Sequence, residues 1–72
     1  MNKGKIIQVM GPVVDVVFEN GELPSIKDAL VVDNDGKKCV MEVSQHVGND
    51  TVRCIMLSAS EGLSRDMEVT AT

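Results

Sequence analysis

Seventy-two residues with 43% hydrophobic side chains fit one domain, and a chain this short buries a smaller share of its surface than a larger one, so its stability margin is thin. Eleven acidic against seven basic residues give a net charge of -4, which repels phosphate backbones and anionic lipid, and Phe18 is the only aromatic side chain on which a base could stack. Nucleic acid is therefore not an expected partner, nor is direct membrane insertion, because the apolar runs of four to six residues fall far short of the about 20 that a helical span needs.

The chain opens as β-structure. Ile6 to Gly11 and Val13 to Phe18 are β-branched runs divided by the turn signal Gly11-Pro12, with no signal or transit peptide legible ahead of them. In the second run Val14, Val16 and Phe18 share one face, and Val13, Asp15 and Val17 the other. Asn20-Gly21 suits positive φ angles, and Leu23-Pro24 cannot continue a central strand because proline lacks an N–H. Ala29 to Asp33 and Lys37 to Ser44 flank Asp35-Gly36. A two-residue turn there sets Asn34 opposite Lys37, Val32 opposite Cys39 and Leu30 opposite Met41. A second hairpin around Asn49-Asp50 predicts Val47 opposite Val52, Gln45 opposite Cys54 and Val43 opposite Met56, with His46 facing Arg53 on the outer surface. Ala59 to Asp66 reads as a loop and Met67 to Ala71 as a last short strand. No stretch of ten residues carries a helical apolar stripe. The reading is all-β: a small closed six-stranded β-barrel spanning residues 1–72, the last strand closing on the first so that no edge stays exposed.

Motifs for chemistry are missing. A phosphate-cradling loop needs Gly-x-x-x-x-Gly-Lys-Ser/Thr, whereas around Gly36-Lys37 the first glycine position is Val31 and the last position is Lys38. Cys39, Cys54 and His46 do not have the paired spacing of a zinc site, and the expected register puts the cysteines about 20 Å apart along the strands, too far for a disulfide. Two reduced core cysteines are the expectation. Glu42 and Asp15 fall on outward faces without a pocket for acid-base work, which leaves solvated faces or salt links to a neighbouring subunit. Ser58, Ser60 and Ser64 read as turn residues, and Asn49-Asp50-Thr51 as a chance match to a glycosylation pattern in a hairpin turn. The outer face with Glu42, His46, Arg53, Ile55 and Leu57 is the nearest thing to a functional signal, as a contact surface.

Gly4, Ile6, Val9, Gly11, Val13-Val14-Asp15-Val16 and Phe18 begin a set of residues that resembles one family in order and spacing. The set continues through Leu23-Pro24, Ile26, Ala29-Leu30, Glu42-Val43-x-Gln45-His46-x-Gly48, Val52-Arg53, Glu61-Gly62-Leu63, Arg65 and Val69. That family is the β subunit of the F-type ATP synthase, bacterial type, and the resemblance covers the start of that much longer subunit. Departures are Ser58-Ala59-Ser60, where the family usually has an acidic residue and a threonine, and Asp66, where glycine is common. The resemblance implies an N-terminal crown barrel that alternates with α-subunit N-terminal barrels in a hexameric ring and holds it together while the nucleotide domains change shape. It implies no catalytic, cofactor or metal residue in this domain. Mg-ATP or ADP would bind, and ATP would be made with a proton gradient, in the parent subunit beyond Thr72, peripheral to the cytoplasmic side of the bacterial membrane. The competing reading is a free-standing small-barrel binding module with its own ligand, which needs a polar cluster at His46 and Arg53.

Overall fold

The computed structural model describes residues 3–19, 21–34 (the Asn34 side chain apart), 36–57 and 62–71. Within these residues all regular structure is strand: β1 (Lys3–Met10), β2 (Val13–Val17), β3 (Ala29–Asn34), β4 (Lys37–Gly48), β5 (Thr51–Met56) and β6 (Glu68–Ala71). They form a closed antiparallel barrel in the order β1-β2-β5-β4-β3-β6. β6 closes it by pairing with β1 through Gly4 and Val69 and with β3 through Val31 and Thr70, so the sheet has no free edge.

Alternation fills the interior. Val14, Val16 and Phe18 lie inward with Leu30, Val32, Cys39, Met41, Val43, Val52 and Cys54, and Ile6 and Val69 complete the buried core. Gly4 lets β1 approach β2 so closely that a Cβ there would lie 2.7 Å from the Val17 carbonyl oxygen and 3.0 Å from Phe18 Cε2. The missing side chain makes room for the one aromatic ring.

The first hairpin has the expected register, with Asn34 opposite Lys37, Val32 opposite Cys39 and Leu30 opposite Met41. Asp35 lies outside the described residues, and Gly36 beside it takes φ 84 with its N–H donating to Asp33 Oδ1 at 3.0 Å. The second turn also forms as expected. Asn49 and Asp50 both adopt left-handed φ (52 and 57), the geometry of a type I′ turn, and Gly48 faces Thr51.

Beyond that turn the expected register is wrong. Val43 faces Cys54, Gln45 faces Arg53 and His46 faces Val52, because Val47 and Ser44 are each an extra residue on β4 with no partner on β5. One bulge flips the inward face and the second restores it, which is why Met41 and Val43 are buried as expected although their partners differ. Cys54 is thus four positions along from Cys39, about 13 Å at ~3.3 Å per residue, still beyond disulfide reach. Both cysteines are free and buried. A further bulge at Ile7, between Ile6 opposite Val16 and Gln8 opposite Asp15, lets Val9 turn back to pack on the core.

Two connections seal the barrel. Leu23 packs on the core and Pro24 is buried, while Lys27 N–H donates to Val43 O (2.7 Å) and Val43 N–H to Asp28 O (2.9 Å), stitching this crossing to β4. At the other connection Asp66 N–H donates to Ile6 O (2.8 Å) and Ile6 N–H to Met67 O (3.0 Å). The expected loop agrees with the structure from Gly62 to Asp66, and Ser58 to Glu61 lie outside the described residues.

Candidate interaction face

Outward residues at matching registers build a wall over five strands. One row runs Met10, Val13, Ile55, Glu42, Ala29 from β1 to β3. Beside it runs Leu57, Val40, Val31, joined by the bond from Leu57 N–H to Val40 O at 2.9 Å and by the pairing of Val40 with Val31. Met10 is 51% exposed and Leu57 61%, large values for apolar side chains. Glu42 sits half-buried among these neighbours, and its carboxylate has no ion-pair or hydrogen-bond partner among the described residues. The wall across the barrel is polar by comparison, with Lys3 and Glu68 3.6 Å apart and largely exposed.

The next row is Gln8, Asp15, Arg53, Gln45. Arg53 Nε donates to Asp15 Oδ1 at 3.0 Å and Nη2 to Asp15 Oδ2 at 3.3 Å, a two-bond fork between adjacent strands. The Asp15 side chain is 8% exposed although it points outside the barrel, and its hydrogen bond and charge push the Arg53 guanidinium above its ordinary pKa. Asp15 was expected to be solvated or to reach a neighbouring subunit, and its partner is instead in the same chain.

The facing of His46 and Arg53 is therefore a correction. The bulge at Val47 turns His46 to the side of Val52, and there its Nε2–H donates to the Pro24 carbonyl at 2.6 Å. The histidine anchors the segment crossing the barrel end, and Arg53 anchors Asp15. Of the five candidate residues, Glu42, Ile55 and Leu57 come together on the wall, whereas His46 and Arg53 leave it for partners within the chain. Sequence reasoning missed Met10, in a run whose faces it did not assign, and Val13, Val31 and Val40, which are the outward members of alternating runs whose inward members it did place.

Among the described residues no three His, Cys, Asp or Glu side chains are grouped to hold a metal. Burial, with the nearby Asp15 charge adding to it, pushes the Cys54 thiol up to about 12, so it is protonated and unreactive at neutral pH. Among the described residues, an open depression of about 450 Å³ is lined by Asp33, Lys38, Glu68 and Thr70 beside Val31 and Met67, and another of about 480 Å³ by Gln8, Ser64 and Arg65 beside Ile7 and Val9. Among the described residues no helix is long and apolar enough to cross a membrane.

What the described residues offer is a closed barrel on which Met10, Ile55 and Leu57 stand together on one wall, while the exposed Ile7, Ile26 and Val47 lie off it. Comparison with known protein families agrees: the family described as "ATP synthase alpha/beta family, beta-barrel domain" matches residues 6–72, which takes in all of β2 to β6 and most of β1. The chain belongs to the ATP synthase alpha/beta family, as its β-barrel domain.

Proposed function

We propose that this barrel is the N-terminal crown domain of the β subunit of a bacterial F-type ATP synthase. In this reading it alternates with α-subunit barrels in a hexameric ring and keeps the ring intact while the parent subunit makes ATP. The observation that carries the reading is the family match over residues 6–72 of a closed six-stranded barrel. The finer assignment to β rests on Glu42-Val43-x-Gln45-His46-x-Gly48 followed by Val52-Arg53.

The geometry suits holding rather than chemistry. A closed barrel has no edge strand to offer, so neighbours must be gripped by side chains on its outer surface, and such a grip survives domain motions elsewhere. Mg-ATP or ADP would be bound by the parent subunit on the cytoplasmic side of the membrane, in a part of the protein beyond these residues. The alternative of a free-standing binding module needed a polar cluster at His46 and Arg53, and those two residues are engaged separately with Pro24 and Asp15.

Sequencing the reading frame downstream of Thr72 tests the proposal. A Gly-x-x-x-x-Gly-Lys-Ser/Thr loop within a following α/β domain is the expected result. A stop codon, or an unrelated domain, would overturn it.

A further inference from the structure

We propose that the depression where the loop of residues 62–66 meets β1 binds a small amphiphilic anion, a carboxylate on a short aliphatic chain. This site lies off the wall and does not depend on the ring reading above.

The depression has a volume of about 480 Å³, room for a small ligand, and its lining divides by chemistry. Ile7 and Val9 supply apolar surface, and Gln8, Ser64 and Arg65 supply polar groups. Ile7 stands exposed there because it is the extra residue of the β1 bulge, and a bulge re-aims a side chain in this way. Arg65 is exposed, and its guanidinium has no hydrogen-bond or ion-pair partner among the described residues, whereas Arg53 is committed to Asp15. Its planar fork of N–H donors matches the two oxygens of a carboxylate. The Gln8 amide and the Ser64 hydroxyl can donate beside it. No carboxylate lines the depression among the described residues, and Asp66, next in the chain, forms no ion pair with Arg65. Donors against an apolar surface are what an anion with an aliphatic body requires.

A peptide fits less well. The loop already takes both backbone groups of Ile6, through Met67 O and the Asp66 N–H, so an incoming main chain finds no pairing at that residue. Its amides would lie over Ile7 and Val9 without partners, and desolvating them is costly. Inorganic phosphate fits less well for a different reason. It leaves Ile7 uncovered and must bind by charge alone to a chain whose net charge is -4. Each methylene laid against Ile7 and Val9 adds affinity that a bare anion lacks.

The test titrates the ¹⁵N-labelled full chain with sodium octanoate below its micelle concentration, reading amide shifts by NMR, with acetate, inorganic phosphate and octylammonium as comparison ligands. Expected is saturable binding at millimolar octanoate, centred on the amides of Ile7, Gln8, Val9, Ser64 and Arg65. Acetate and phosphate should bind about tenfold more weakly or worse, and octylammonium should leave these amides unmoved. Arg65→Gln should weaken octanoate roughly fivefold or more, and Ile7→Ser should narrow the gap between octanoate and acetate. Both side chains are exposed, so an unchanged far-ultraviolet spectrum is expected of each variant and establishes that it folds. A response that never saturates, octylammonium binding as well as octanoate, or an Arg65→Gln chain that binds octanoate like the parent would each overturn the site. Acetate binding as tightly as octanoate would overturn the aliphatic part of the ligand. A peptide ending in a leucine carboxylate that binds more tightly than octanoate would put the anion on a protein and overturn the small-molecule assignment.

Discussion

Replacing Gly4 by alanine puts a Cβ 2.7 Å from the Val17 carbonyl oxygen, 2.8 Å from Val16 Cγ1 and 3.0 Å from Phe18 Cε2. Ordinary contact begins near 3.4 Å, and the closest neighbour is backbone of the adjoining strand, which cannot rotate aside. Overpacking of this kind costs about 1–3 kcal/mol. Alanine returns about 0.4–1 kcal/mol by restricting the unfolded chain. The net destabilisation is about 1–2 kcal/mol, against a total of about 4–11 kcal/mol expected at roughly 0.05–0.15 kcal/mol per residue. At about 4–8 °C per kcal/mol for a domain of this size, Tm falls by about 5–15 °C. Thermal and urea unfolding followed by far-ultraviolet circular dichroism measure it, with Lys5→Ala at the adjacent exposed position as the control expected within about 0.5 kcal/mol. Pairing the change with Val16→Ala removes one of the three clashes, so the double variant should lose at least about 0.5 kcal/mol less than the two single losses together. A Gly4→Ala barrel as stable as the parent, or strict additivity with Val16→Ala, would refute the close-approach argument.

Asp66 holds φ 73, a left-handed conformation that costs residues with a Cβ about 1–2 kcal/mol, so Asp66→Gly should raise Tm by a few degrees after the entropy of glycine is subtracted. His46→Ala removes the donor to the Pro24 carbonyl and should cost about 1 kcal/mol in urea unfolding, while His46→Gln, which keeps an N–H, should recover part of that loss. Asp15→Asn keeps shape but removes the charge facing Arg53, so it should lower Tm and also make Tm less sensitive to added salt; an unchanged salt dependence would mean that the ion pair contributes nothing. Cys54 titrates near 9.0 when unfolded and at about 12 in the barrel, so the folded state keeps a proton that the unfolded chain releases. Its contribution to stability is whole below pH 9 and declines as pH rises toward 12, and Cys54→Val should flatten the stability profile over that window.

Much of this barrel is legible in the sequence because two signals reinforce each other. Asp35-Gly36 and Asn49-Asp50 mark where strands reverse, and the alternation in Val13 to Phe18 and Leu30 to Val32 marks which side faces in, so strand count, first-hairpin register and most of the core follow. Bulges are what the pattern conceals. Ser44 and Val47 are ordinary strand residues, and a pair of bulges preserves the inward side of Met41 and Val43 while sliding every partner between them. Nothing in composition distinguishes a bulged residue from a paired one, so the error fell on His46 and Arg53, the two residues whose proposed role depended on facing each other. The wall was half legible, since Glu42, Ile55 and Leu57 were singled out for exposure, but adding Met10, Val13, Val31 and Val40 requires knowing that β1 lies beside β2, and β5 beside both β2 and β4.

Val13, Ala29 and Glu42 apart, the residues that mark the family resemblance lie off the wall. Gln45 and His46 lie between the two bulges of β4, His46 ties down Pro24, Gly48 takes φ 89 at the turn, and Arg53 secures Asp15. Each has a local physical duty within the barrel, in sealing an end, reversing the chain or tying two strands. The wall places lighter demands on its residues. Ile55, Leu57, Val40 and Val31 need only be apolar and outward, a requirement that many side chains meet. A signature of this kind therefore reports mainly a scaffold, and among the wall residues named above Glu42 is the one whose charge no apolar side chain could replace.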